Sequence, residues 1–208
     1  MDEIFDENQE PEKEEAEHLE DILETEEVPA KKYNVMREIR EWLYAIVFGL
    51  AVTFVLKMYV FDIVKVEGPS MLPTVVENDR IFLWKLGYTP KPGDIIVLRT
   101  DADPKRPYIK RVIAVAGQEV DFRNGGVYVD GVKLEEDYLP DDVKTSVSRN
   151  DDYPMVVEED AVYVLGDNRG VSKDSRSIGQ IRDDEVLGKA AFRFLPFSKI
   201  GPIKPAVK

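Results

Sequence analysis

Tyr108-Ile109-Lys110-Arg111-Val112-Ile113-Ala114-Val115-Ala116, closed by Gly117, is the stretch that decides the fold. A run this apolar, rich in β-branched residues and ended by glycine, reads as a strand. Side chains alternate along a strand, so Lys110, Val112 and Ala114 share one face, and Ile109, Arg111, Ile113 and Val115 the other. A lysine on an otherwise apolar face is either buried near its head group or snorkels from a strand edge. If buried, desolvation disfavours the ammonium and lowers its pKa. An amine that is neutral near pH 7 is a competent general base, at roughly 4 kcal/mol of disfavoured charge.

Short apolar runs separated by turn residues lie on both sides of this strand. Ile81–Leu86 and Asp94–Leu98 precede it, split by Gly87 and Pro90-Lys91-Pro92-Gly93. Val120–Arg123 and Val127–Val129 flank Asn124-Gly125-Gly126 and read as a hairpin, with Asp130-Gly131 a second tight turn. Residues 135–160 are polar and acidic and read as a long surface excursion. Ala161–Leu165 and Val186–Phe194 complete the strands, and the chain after Pro196 reads as loop. Many short strands and no amphipathic helix predict a mainly β domain.

A hydroxyl able to use Lys110 lies at Glu67-Gly68-Pro69-Ser70-Met71-Leu72-Pro73-Thr74. Pro69 and Pro73 each fix a φ angle and make the segment a rigid turn. A serine held on such a turn is a nucleophile once a base reaches it. Composition removes the usual base. The one histidine, His18, lies in an acidic stretch near the start, so a Ser-His-Asp triad and a multi-histidine metal site are both excluded. There is no cysteine, which excludes disulfides and thiolate chemistry.

Before the turn, Trp42 to Phe61 is a run of twenty residues in which Lys57 is the only charge. As a helix it rises about 30 Å, enough to cross a bilayer. Aromatic residues at Trp42, Tyr44, Tyr59 and Phe61 mark its ends. Lys31, Lys32, Arg37 and Arg40 precede it, which places the N-terminus in the cytoplasm and the β domain outside. The formal charge of −13 belongs to residues 1–30, with fourteen Asp/Glu against Lys13; residues 31–208 balance. Such a tail predicts disorder and argues against nucleic acid as a partner. The expected organisation is an acidic disordered cytoplasmic tail (1–35), a transmembrane helix (36–64) and an extracytoplasmic β catalytic domain (65–208).

A third polar stretch, Gly166-Asp167-Asn168-Arg169 with Ser172, Asp174, Ser175 and Arg176, follows the Ala161–Leu165 strand. By composition it is a turn rich in turn-formers, in which Asp174 and Arg176 can pair and Ser172 can orient an amine. Together with Ser70–Thr74, Gly93–Val97 and Tyr108–Ile113, in this order behind an apolar anchor, it resembles the type I signal peptidases. These are membrane-bound Ser-Lys proteases that remove signal peptides. The resemblance runs from the apolar helix to about residue 197.

That resemblance implies a signal-peptidase-like all-β catalytic domain in a single-pass membrane protein. Ser70 matches the nucleophile and Lys110 the general base. Ser172 matches the hydroxyl that holds the lysine amine, Asp174 and Arg176 the supporting pair, and Asp167 and Asn168 the loop beneath the site. The Ser70 N–H matches one oxyanion donor. Position 68, a hydroxyl in some members, is Gly68 here, as in Gram-positive relatives, which leaves a backbone N–H for the second donor. Val64, Val66, Tyr108 and Ile109 are expected to line shallow apolar pockets for a small-x-small cleavage motif. The implied partners are the signal peptides of secretory preproteins and the lipid bilayer, with no cofactor, no metal and a monomeric enzyme. Ile81–Leu86, with Trp84 and nearby Tyr88, is a further candidate contact with the membrane surface. Two rivals remain. One is a Ser-Lys self-cleaving β domain like those of SOS-response repressors, which are soluble and carry a DNA-binding domain. The other is a membrane-anchored binding module, from which the complete set Ser70, Lys110 and Ser172 separates this chain.

Overall fold

The computed structural model describes residues 34–101, 103–147 and 152–204. The acidic stretch before residue 34, and the disorder expected of it, lies outside the described residues. The chain divides into two compact units, residues 1–48 and 49–208, with the boundary inside the helix α1 (Val35–Tyr59). At about 1.5 Å per residue, these 25 residues are long and apolar enough to cross a membrane, and none is buried.

The helix ends earlier than its apolar sequence suggests. The Val60 N–H closes the last turn on Leu56 O, and Phe61–Lys65, of which all but Lys65 was expected within a helix to residue 64, is instead the first strand, β1. The reason is pairing. β1 runs antiparallel to β2 (Arg80–Trp84), with Ile63 opposite Phe82 and Val64 opposite Ile81, and Phe61 stacks on Phe82 at 5.0 Å. β-branched residues gain more from such a partner than from another helical turn.

The strands that follow are β3 (Ile95–Leu98), β4 (Tyr108–Val115), β5 (Glu119–Arg123), β6 (Gly126–Val129), β7 (Val132–Lys133), β8 (Met155–Val156) and β9 (Ala161–Leu165). A short helix α2 (Ser175–Ile178) leads to β10 (Ile181–Arg182), β11 (Val186–Leu195) and β12 (Gly201–Pro202). One sheet has the order β1-β2-β11-β3-β4-β9-β10, with β12 on β11; the other is β7-β6-β5-β8. All described pairings are antiparallel. The mainly β expectation holds.

Four local expectations change. The alternation of β4 slips where its register to β9 shifts between Val112 and Ala114, so Ala114 packs with Ile113 in one cluster while Val112 and Val115 join another. A bulge of this kind puts two residues against one and turns the later side chains over. The excursion 135–160 contains β8 on β5, and Thr145 within it is buried. Past Pro196, Gly201–Pro202 pairs with β11 and Ile203 enters the core. Tyr88, grouped above with a membrane-facing segment, is half-buried and its hydroxyl donates to Asp94 at 2.9 Å.

Three clusters form the core. The first, under Val66, Met71, Val75, Ile95, Val97 and Ile109, lies beneath the Ser70 turn and fixes its height. Ile81 and Leu83 are fully buried in it, whereas Trp84 and Leu86 point outward.

Candidate active site

The turn that presents Ser70 is anchored from below. Met71 and Val75 are buried in the first core cluster, Val75 N–H bonds Met71 O at 2.9 Å, and Leu72 N–H bonds Pro69 O at 3.2 Å. With its neighbour fixed in the core, Ser70 stands half-buried at the rim. Gly68 has φ +80°, a conformation strained for any residue with a Cβ, so the absence of a side-chain hydroxyl there follows from the backbone. The Ser70 N–H makes no hydrogen bond among the described residues, whereas its carbonyl accepts from Asn168 N–H at 3.0 Å.

β4 brings the lysine to this turn. Lys110 Nζ donates to Ser70 Oγ at 3.0 Å and to its neighbour's carbonyl, Ile109 O, at 2.9 Å. Lys110 is 1% exposed. Burial pushes its pKa down to about 8, against the opposing pull of the Asp174 and Asp167 carboxylates. A neutral amine in this place keeps its lone pair, and the same 3.0 Å contact then lets Ser70 O–H donate to it.

The two carboxylates favour the charged lysine but are outweighed by its burial, and each is itself held by an arginine. Asp167 takes a bidentate contact from Arg111, Nε at 2.9 Å and Nη2 at 2.7 Å, with both side chains fully buried. The remaining Arg111 nitrogen donates to Gly93 O at 3.0 Å, and its guanidinium lies 3.8 Å from the centre of the Tyr138 ring. Asp174 accepts from Arg176 Nε and Nη2, each at 2.8 Å, and from Gly166 N–H at 2.9 Å, while also capping α2 through Arg176 N–H. Bidentate, charge-assisted contacts of this type are short and orienting.

Every sequence-predicted site residue therefore lies in one neighbourhood, with one difference. Ser172 Oγ was expected to hold the lysine amine. It is buried and makes no hydrogen bond among the described residues, while Lys110 donates to Ile109 O. Asn168 Nδ2 reaches Pro69 O at 3.2 Å and clamps the nucleophile turn from the other side. Val64, Val66, Tyr108 and Ile109 line a cavity of about 520 Å³, together with Leu83, Val97 and Leu187.

Two contributors were missed. Arg111 was placed on the opposite face of the strand with no partner assigned, although an arginine inside an apolar strand implies a buried carboxylate. Arg169 is the second. It bonds Thr145, Tyr138 and both Glu136 oxygens, tying the 135–147 excursion to the site loop. Gly166 has a packing role. A Cβ there would lie 2.1 Å from Ser172 Oγ and 2.6 Å from Ser70 O. Gly166→Ala should spread the two loops and lower kcat/KM by roughly 10²-fold, as misplacement of about 1 Å does, with the fold retained by circular dichroism. Activity within a few-fold of wild type would show that the loops are not held to that tolerance.

The family model described as "Signal peptidase, peptidase S26" matches residues 39–195. Signal peptidase IB of Staphylococcus aureus (strain COL) is 34% identical over 179 residues, covering 78% of this chain and 93% of that protein. Signal peptidase I P of Bacillus subtilis subsp. natto is 34% identical over 183 residues, covering 84% and 98%. The crystal structure of a signal peptidase I from Enterococcus faecalis V583 shares 31% identity at a TM-score of 0.40, over 49% of this chain and 97% of that one.

Proposed function

The chain belongs to the signal peptidase family, peptidase S26, and we propose that it cleaves preproteins by a Ser-Lys dyad of Ser70 and Lys110 while anchored in the cell membrane. The family assignment makes it a serine protease that removes signal peptides from preproteins. The observation that supports the dyad is the 3.0 Å contact between Ser70 Oγ and a lysine amine that is 1% exposed.

The steps follow from that contact. Neutral Lys110 takes the Ser70 proton as Oγ attacks the scissile carbonyl carbon. The developing oxyanion is met by the unused Ser70 N–H, and a second backbone N–H is the remaining donor at a turn where residue 68 has no side chain. The ammonium, steadied by the nearby Asp174 and Asp167 charges, returns its proton to the leaving amine. Ser172 Oγ, buried without a partner, is available to the amine as it charges. Water, deprotonated by the same lysine, then releases the acyl-enzyme.

The substrate fits the cavity as an extended segment. Among the described residues β1 pairs only with β2, and β9 joins β4 only from Arg111 onward, so there β1 and the stretch Tyr108–Lys110 each leave one edge unpaired. A peptide laid between such edges gains backbone hydrogen bonds, and the apolar Val66 and Ile109 in the cavity lining are the contacts for its small side chains. This is the geometry a small-x-small motif requires. The helix α1 supplies the anchor, with the cytoplasmic N-terminus that the basic residues before it favour. Confining enzyme and preprotein to one bilayer raises their effective concentration. The enzyme works as a monomer with its β domain on the outer face.

Incubation with a preprotein in detergent, followed by N-terminal sequencing, tests the proposal. One cut after small-x-small is expected from the wild type and from Lys13→Ala, and none from Ser70→Ala. Cleavage that persists in Ser70→Ala would rule out this nucleophile.

A further inference from the structure

The substrate groove is unevenly charged. Beside the apolar Val66 and Ile109, its lining includes Lys65, Arg99, Lys105 and Arg106. The acids in the same lining are Glu67 and Asp62, and Asp62 already pairs with Lys85 at 3.3 Å. All four cations are exposed, and none makes an ion pair or a side-chain hydrogen bond among the described residues. Elsewhere on the domain, exposed arginines such as Arg123 and Arg182 hold nearby aspartates. Unpaired cations converging on one cavity create a positive field that a bound anion would meet.

Resting on the reading that this groove takes the signal peptide, we propose that its cationic part is a carboxylate subsite. Lys65, Arg99, Lys105 and Arg106 select preproteins that carry Asp or Glu shortly ahead of the small-x-small site. The position follows from strand geometry. The cations line the same cavity as Val66 and Ile109, and an extended peptide advances about 3.3 Å per residue, so a chain seated there meets them just ahead of small-x-small, at roughly the fourth to sixth residue before the cut. The apolar floor of Val64, Leu83, Val97 and Leu187 favours a peptide over a headgroup, because it buries the chain that carries the charge. Each solvated pair contributes little, and the combined effect on kcat/KM is roughly fivefold.

The test compares preproteins carrying Glu or Gln at each of these upstream positions, cleaved in neutral detergent at low salt. Glu should be cut roughly fivefold faster than Gln at one or two positions, and high salt should bring the ratio to about one. The triple variant Arg99→Ser, Lys105→Ser, Arg106→Ser should also bring it to about one. The ratio does not depend on the amount of active enzyme. Arg99→Glu with Arg106→Glu should reverse the preference, so that Lys is cut faster than Gln. Equal cleavage of Glu and Gln by the wild type, or a ratio unchanged in the triple variant, overturns the subsite alone. A variant defect seen only in phosphatidylglycerol vesicles, and equal for both substrates, also overturns it and assigns the cations to the bilayer surface. No cleavage of any substrate overturns the protease reading and this inference with it.

Discussion

Lys110→Met is expected to abolish cleavage and to stabilise the protein. Loss of the base should lower kcat/KM by at least about 10³-fold, since a nucleophile and its base act as a unit. The gain in stability comes from burial. Burial pushes the Lys110 amine down to about 8 in the fold, from 10.5 for an ordinary lysine. At about 1.4 kcal/mol per tenfold change in proton affinity, the buried charge costs roughly 3 kcal/mol. The sign depends on pH. Below about pH 8 the amine is charged in both folded and unfolded chains, and the full cost applies. Between 8 and 10.5 the unfolded chain keeps a proton that the folded one has lost, so the cost shrinks as pH rises. Above that range it is gone. Denaturant unfolding of Lys110→Met should therefore show its largest gain near neutral pH and almost none in strong alkali. An unchanged midpoint at pH 7 would mean that the ammonium is solvated.

Asp167→Asn should give the largest loss of stability among the site residues. It removes the negative charge and one acceptor, so the fully buried Arg111 guanidinium keeps neutral partners alone: the amide oxygen, Gly93 O and the Tyr138 ring. Breaking one side of a buried pair costs about 3–5 kcal/mol, because the other charge is left uncompensated. Activity should fall too, since Asp167 adjoins Asn168, whose N–H holds the Ser70 carbonyl. The contrast is Asp184, paired with Arg182 at 2.8 Å on the open surface, where alanine should leave the unfolding transition unmoved. Similar losses at both positions would deny the Arg111–Asp167 pair its structural role.

These residues also show where sequence reading runs out. Ser70 and Lys110 were legible because composition had removed the usual histidine base, and because the motifs around them, taken together, resemble the type I signal peptidases. The arrangement of the supporting groups was not. Arg111 and Asp167 are 56 positions apart, and Arg169 and Glu136 are 33 apart; nothing local ties either pair together. The end of α1 was misplaced for a similar reason. The apolar run continues through Tyr59 to Phe61, with Ile63 and Val64 just beyond Asp62, and it is the partner strand at Arg80–Trp84 that makes Phe61 onward β. The register slip in β4 depends likewise on how β9 meets it, so the face of Ala114 could not be read from β4 alone. What is local, such as the Ser70 turn and the hairpin of β5 and β6, was visible; what depends on distant pairing was not.

The most direct measurement is the pH dependence of kcat/KM on a preprotein whose own groups do not titrate in the range. The account requires Lys110 to be neutral before Ser70 attacks. Activity should therefore climb with pH through a midpoint of about 8 and stay high beyond it. A rise centred near the 10.5 of an unburied lysine would mean that the amine beside Ser70 is an ordinary ammonium, and the dyad would lose its base.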